Sequence, residues 1–285
     1  MNSRKRVWIT GDGGLIGGYL TRTASRYGPA YEAHGTTRQA CDLIDPSAVR
    51  QAFRKLNPDL VIHCAALTKS PACERNPDLA RRVNVEATAR LAELAQDVAF
   101  IFFSTDLVFD GEKGDYDELA EPNPLSMYGK TKMEAEIIVL ANPKHTVIRT
   151  SLTGGISRTG DRGFNEEMLR AWQEGRTLTL FVDEFRCPIP AAVTARAVWE
   201  LAAGAEPGLY HLAGAERLSR WQIGQVLAQQ WPHLNPKLEP ASRRNYDGPP
   251  RPADTSLNCA KIQKLLSFRL PGLTEKLVKN PNAEF

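Results

Sequence analysis

Tyr128 and Lys132 stand four residues apart, a spacing that puts both side chains on one face of an α-helix. A phenol titrates near pKa ~10 and is a poor acid–base group at neutral pH. An ammonium beside it favours the phenolate and draws the phenol toward the working range of a proton donor. Chance alone gives roughly 0.3 such pairs in a chain with 7 tyrosines, so the pair gains its meaning from its setting. It opens a helical segment just after the proline-rich stretch Glu121-Pro122-Asn123-Pro124. The apolar run before that stretch, residues 98–104, reads as a buried strand with Ser104-Thr105-Asp106 at its carboxyl end. A hydroxyl at such a strand end can hold a carbonyl; the plainer alternative is that Ser104 and Thr105 only cap the strand.

A second cluster, near the amino end, suits a phosphate. Gly11-x-x-Gly14-x-x-Gly17 follows a short apolar run and precedes a helical pattern. Glycines allow a tight turn and a close approach of backbone to a diphosphate, which then meets the free N–H groups of the helix start. Leu15 and Ile16 lie inside this loop, and so does Asp12. A carboxylate is unfavourable there unless it points away or bonds the backbone. An acidic residue ending the second strand would read a ribose 2′-hydroxyl and favour NAD. This chain has His34-Gly35-Thr36-Thr37-Arg38 instead. Arg38 can pair with a 2′-phosphate and stack on adenine, which favours NADP(H) over NAD(H). Glu32 takes the acidic role only if the strand is shorter than it reads.

These groups need a frame, and the first half supplies one. Apolar β-rich runs at residues 7–10, 31–36, 60–64, 98–104 and 146–149 alternate with helical patterns at 14–27, 46–56, 78–96 and 126–140. Near-continuous apolar strands separated by helices predict a Rossmann-type, doubly wound parallel α/β sheet, with ligands at the carboxyl ends of its strands. Residues 1–150 form this dinucleotide-binding unit. Residues 151–285 read as a smaller mixed α/β lobe over the ligand edge, able to return a strand or helix to the first unit. Helices are expected near 165–174, 191–203 and 219–230, strands near 177–182 and 209–213, and a loop over 235–255.

Composition narrows the classes. The 285 residues are 42% hydrophobic and 24% charged, the balance of a globular chain. A net charge of +3 without a concentrated basic stripe excludes a dedicated nucleic-acid binder. No apolar run approaches the ~18 residues of a membrane span, and no signal-peptide pattern precedes the first strand. Cys41, Cys64, Cys73, Cys187 and Cys259 are odd in number and lack CxxC spacing, which points to reduced thiols and a cytoplasmic protein. No His/Asp/Glu cluster has metal-ligand spacing. His63, His145 and His211, and Trp172, Trp199 and Trp221, read as structural.

Taken together, the motifs resemble those of the extended short-chain dehydrogenases/reductases, and within them the dTDP-4-dehydrorhamnose reductase-like group. The likeness is carried by the glycine loop, Cys41-Asp42-Leu43, Cys64-Ala65-Ala66, Asn84, the run Ser104-Thr105-Asp106-Leu107-Val108-Phe109-Asp110-Gly111, and Tyr128-Gly129-Lys130-Thr131-Lys132. Further on it is carried by Arg149-Thr150-Ser151, Val182-Asp183-Glu184, Tyr210-His211-Leu212-Ala213-Gly214 and Arg251-Pro252. The resemblance implies that Asp42 and Leu43 contact adenine, that Cys64, Ala65, Ala66, Asn84 and Ser104 line the cofactor groove, and that Thr105 holds the substrate carbonyl. It further implies Tyr128 as proton donor and Lys132 as the group that binds the nicotinamide ribose. Asp106, Val108, Leu152 and Arg186 would face a sugar or nucleotide-sugar substrate whose keto group is reduced. Family members often pair as homodimers, which by analogy is the expected assembly. The chain departs from the family at Leu107, at Leu152 and at Arg186-Cys187-Pro188-Ile189, where relatives carry Gly-Ser-Pro-Thr. Arg186 either binds a phosphate or pairs with Asp183 or Glu184. An epimerase or dehydratase of the same superfamily, or a non-catalytic regulatory subunit, remain the alternative functions.

Overall fold

The structure, a computed structural model, describes residues 4–279; the outermost residues of both expected units, 1–3 and 280–285, lie outside the described part. Five strands of the first half, β1 (Lys5–Thr10), β2 (Tyr31–Thr36), β3 (Leu60–His63), β4 (Ala99–Thr105) and β5 (His145–Thr150), are joined by helices. These are α1 (Leu15–Tyr27), α2 (Pro46–Leu56), α3 (Ser70–Arg75), α4 (Pro77–Arg81), α5 (Ala87–Leu94) and α6 (Met127–Leu140). The second half adds short strands β6 (Thr153–Gly154), β7 (Leu178–Phe181), β8 (Phe185–Arg186), β9 (Ile189–Pro190), β10 (Gly208–Leu212), β11 (Leu218–Ser219) and β12 (Leu238–Ala241). Its helices are α7 (Phe164–Gln173), α8 (Ala191–Gly204), α9 (Arg220–Ala228), α10 (Ala260–Gln263) and α11 (Leu273–Lys279).

The main sheet has six parallel strands in the order β10-β5-β4-β3-β1-β2. This is the expected Rossmann-like sheet. Its strands are buried on both faces because side chains alternate with period two. Val7, Ile9, Ile62, Ile101 and Phe103 face one side, where α1 and α8 cover them around the fully buried Trp199. Trp8, Val61, Phe100, Phe102 and Val147 face the other, under α2, α5 and α6. The direction of winding reverses between β1 and β3, so the crevice for a ligand opens at their carboxyl ends.

Two local readings change. The helix expected over 78–96 is divided: a π-helical turn, Arg82–Glu86, separates α4 from α5. Such turns insert one residue into the ladder and often mark functional sites; here the turn carries Asn84. The stretch 235–255 is not all loop, because β12 pairs in parallel with β7. Its prolines and arginines hid a four-residue strand too short to show a period. The second half also meets the main sheet. It sends β10 to the edge of the main sheet beside β5, and α8 onto α1. Its remaining core is a separate cluster around Phe164, Met168, Trp172, Ile223 and Leu273.

Candidate active site

At the end of β1 the chain turns through Gly11 at φ +76°, a left-handed conformation that favours glycine. A side chain there would also sit 2.7 Å from the Ala65 nitrogen, and one at Gly14 would meet the Gly11 carbonyl at 3.1 Å. The loop therefore packs backbone on backbone. Gly14 is the N-cap of α1 and no side chain caps the helix, which leaves its first N–H groups for a ligand. The outer face at Gly13 is open, with only the Thr37 side chain at 3.7 Å. A cradle of this kind fits the diphosphate of a dinucleotide. At the neighbouring edge, Thr10 Oγ1 lies 2.7 Å from His63 Nδ1, tying the ends of β1 and β3 together.

Serine at 126 starts α6 by accepting from the Gly129 N–H at 3.2 Å, and the next two turns bring Tyr128 and Lys132 inward. Both are buried at the carboxyl edge of β4. Tyr128 stands beside Thr105, the last residue of β4, whose hydroxyl accepts from the Leu107 N–H and donates to Asp106 Oδ1, both at 3.2 Å. Lys132 Nζ lies 3.8 Å from the centroid of the Phe102 ring and forms no hydrogen bond or ion pair among the described residues. Burial pushes its ammonium down to about 7, partly offset by the Glu136 carboxylate one turn on. Burial pushes the Tyr128 phenol up, while the nearby Thr105 hydroxyl and Arg186 oppose the rise and the Asp106 carboxylate adds to it. The expectation of a phenol drawn down by lysine is thus reversed in direction, because desolvation outweighs the attraction. The phenol therefore keeps its proton at neutral pH and is a weaker acid than a free one, so it can give that proton only to an oxygen on which strong negative charge develops.

Below this pair, Arg149 makes a forked contact with Glu136, with Nη2 to Oε2 at 2.7 Å and Nε to Oε1 at 3.0 Å, and both side chains are buried. His211 completes the layer: Nδ1 lies 2.9 Å from the Tyr116 carbonyl and Nε2 3.4 Å from Arg149 Nη1. Burial and Arg149 lower its pKa to about 4, so the ring is neutral and accepts from the guanidinium.

Beside Thr105, fully buried Asp106 accepts from Ser151 Oγ at 2.6 Å, from Thr255 Oγ1 at 3.2 Å and from both Nε and Nη2 of Arg186. Glu184, also buried, accepts from Arg251 Nε at 2.5 Å and lies 3.8 Å from Arg186. Of the two roles left open for Arg186, pairing is what the structure displays, with Asp106 as the main partner and Glu184 the second. A cavity of about 70 Å³ opens here, lined by Ser70, Leu107, Ser126, Glu184, Arg186, Tyr246 and Arg251.

The expected site residues separate into groups. Gly11, Gly14, Leu15, Ile16, Gly17, Cys64, Ala65 and Ala66 surround the β1 and β3 ends of the crevice, and Thr105, Tyr128 and Lys132 its middle. Arg38 has a side chain 78% exposed and only a loose 3.7 Å pairing with Asp42, so its guanidinium is available. Leu43 is tied through its carbonyl to Arg90 at 3.1 Å. Asn84 is spent on structure: its amide brackets Leu67 N and O and donates to Thr131 at 3.0 Å. Val108 is fully buried with Phe109, Tyr116 and Leu257, and Asp106 is enclosed by its partners. Leu152 packs toward the second core. Ser104 is buried with its hydroxyl unpaired. Sequence reasoning missed Ser70, Ser126 and Tyr246 in the cavity wall; the serine starting α6 was the detectable one, as an N-cap.

Comparison with known proteins bears on this geometry. The family model described as the RmlD substrate binding domain matches residues 5–282. This chain belongs to that family. Its RmlD-like membership places it among the extended short-chain dehydrogenases/reductases, in agreement with the sheet. It is 32% identical to a dTDP-4-dehydrorhamnose reductase of Sinorhizobium fredii over 95% of this chain and 94% of that one. It is 29% identical to the methionine adenosyltransferase 2 subunit beta of Danio rerio, over 92% of this chain and 85% of that one. The crystal structure of a Bacillus anthracis dTDP-4-dehydrorhamnose reductase in complex with NADP superposes with a TM-score of 0.87, at 25% identity, over 97% of this chain and 98% of that one. Among the described residues, no helix of this RmlD-like chain is long and apolar enough to cross a membrane.

Proposed function

We propose that this chain is an oxidoreductase that uses a nicotinamide dinucleotide, NADPH in preference to NADH, to reduce a keto group on a nucleotide-linked sugar. The observation that carries the reading is the buried constellation at the end of β4: the Tyr128 phenol beside Thr105, with Lys132 one helical turn away and without a hydrogen-bond or ion-pair partner among the described residues. Family membership and the NADP-bound reductase of the same fold support it. The glycine cradle supports a diphosphate at the crevice, and free Arg38 supports the 2′-phosphate.

When bound, the dihydronicotinamide supplies a hydride to the carbonyl carbon. The rest falls to this chain. Thr105 and Tyr128 hydroxyls orient the carbonyl oxygen, and Tyr128 gives it a proton as charge develops there. Lys132 then stabilises the phenolate left behind and binds ribose hydroxyls. Arg186 and Arg251 bring positive charge to the cavity that would take the sugar and its phosphates. A regulatory subunit without catalysis, the reading the beta subunit raises, would not need Thr105, Tyr128 and Lys132 kept together. The test is dinucleotide oxidation, followed spectroscopically with NADPH and with NADH, against a panel of 4-keto nucleotide sugars, other keto sugars and simple ketones. Turnover with a 4-keto nucleotide sugar is expected; tight NADPH binding without turnover on any ketone would favour the regulatory reading.

A further inference from the structure

A carboxylate sits inside the phosphate loop, where a bound diphosphate would be repelled, and the structure shows what offsets it. Asp12 is 5% exposed. Its side chain lies against Gly35 of β2, where a Cβ would fall 2.5 Å from Cγ and 2.6 Å from Oδ1. Oδ1 is buried with no hydrogen-bond partner among the described residues. Oδ2 accepts from Nη1 of Arg158 at 2.9 Å, the one cation within ion-pair distance among the described residues. Arg158 comes from the other half of the chain, on the segment between β6 and α7. That segment is firmly held. Ile156 N donates to the Tyr19 hydroxyl at 3.1 Å, Arg22 Nη2 donates to the Ile156 carbonyl at 3.1 Å, and Arg22 stacks on Tyr19. Glu166 accepts from the N–H groups of Ser157, Arg162 and Gly163 at 2.7–2.9 Å. The guanidinium is therefore delivered to Asp12 on an ordered support.

We propose that Arg158 is a positioning residue for the dinucleotide that acts through Asp12: it neutralises the loop's carboxylate, so that the start of α1 meets the phosphates without an opposing charge. The proposal rests on the reading that the glycine loop takes a nicotinamide dinucleotide. A buried anion with one oxygen unpaired has little water to screen it, so its field reaches neighbouring phosphates once the guanidinium is gone. The penalty scales with ligand charge. The adenosine 2′-phosphate of NADPH belongs at the end of β2, the strand against which Asp12 packs, so NADPH suffers more than NADH. The second half of the chain thereby completes the charge balance of a site built by the first.

The experiment measures dissociation constants of NADPH and NADH by fluorescence at low ionic strength, for the wild-type chain, Arg158→Ala, Arg158→Met, Asp12→Asn and the double variant Asp12→Asn/Arg158→Ala. Thermal melts confirm folding. Losing the arginine is expected to weaken NADPH about tenfold and NADH less. Asp12→Asn alone is expected to bind NADPH at least as tightly as wild type, because it removes the opposing charge, and adding it to Arg158→Ala restores the affinity that variant loses. A double variant as weak as Arg158→Ala would overturn the proposal, because Arg158 would then act on the ligand itself or only brace its segment. So would an Asp12→Asn variant as weak as Arg158→Ala, or Arg158 variants that bind like wild type. A wild-type chain that binds neither dinucleotide would overturn the functional reading and this inference with it.

Discussion

The two walls of the crevice are built on different principles. The wall formed by the ends of β1, β2 and β3 is mostly backbone: a glycine turn, an uncapped helix start and small side chains. The wall beyond Thr105 is mostly ionised side chain. Asp106, Glu184, Arg186 and Arg251 are drawn from widely separated positions and pair with one another in the interior. A backbone site needs little buried charge, and here the one carboxylate in it, Asp12, is paired with Arg158. A buried network is rigid only while complete, since removing one member strands the others without water. The comparison teaches that binding the common part of the reactants and selecting the variable part can be assigned to different kinds of structure.

That contrast can be broken at several points. The largest effect belongs to Tyr128→Phe, which removes the proposed proton donor and leaves the glycine wall intact. Turnover should fall by about 10²–10⁴-fold with NADPH affinity nearly unchanged, as single-turnover kinetics and fluorescence titration would show. A parallel loss of affinity would mean that the two walls are not separable. Next is Asp106→Ala, which leaves Arg186 buried beside the gap. A loss of about 3–5 kcal/mol is expected in denaturant unfolding, and a Gly13→Ala change, at an open position, should cost far less.

A pH profile gives a smaller but more diagnostic effect. Burial lowers Lys132 to about 7, so its ammonium is present below that pH and lost as pH rises through it. The Tyr128 phenol is shifted up and keeps its proton over the same range. The kcat/KM for reduction should therefore decline above about pH 7, by up to tenfold per unit, as one proton is lost. A rate unchanged from pH 6 to 9 would show that the charge on Lys132 is not needed. The smallest effect is expected at Arg38, whose guanidinium is exposed. Arg38→Ala should lower the NADPH-to-NADH ratio of kcat/KM by about fivefold, because screened surface contacts contribute about 1 kcal/mol.

The legibility of the two walls in the sequence follows from how each is made. Gly11, Gly14 and Gly17 signal their role because a turn, a close approach and a helix start are local events. Tyr128 and Lys132 share a helix face by spacing alone. All six segments of the main sheet were readable as strands, the sixth near 209–213, since a strand buried on both faces needs a run of apolar residues; the place of the sixth beside β5 was not. The pairing of Arg186 with Asp106 spans 80 residues and obeys no period. Nor did any local pattern reveal that Asn84 would serve the 65–67 loop, or that Asp12 would find a cation at Arg158. The division of the 78–96 helix was hidden because a π-helical turn leaves composition unchanged.

The sixth strand carries a consequence for synthesis. On one side β5 hydrogen-bonds to β4, and its other side is closed only by Gly208–Leu212. During translation the growing polypeptide therefore presents an open sheet margin from the time Thr150 leaves the ribosome until Leu212 does. Unpaired strand margins invite pairing with other chains. Until that later stretch arrives, the nascent protein is at its most vulnerable to clumping and to capture by chaperones.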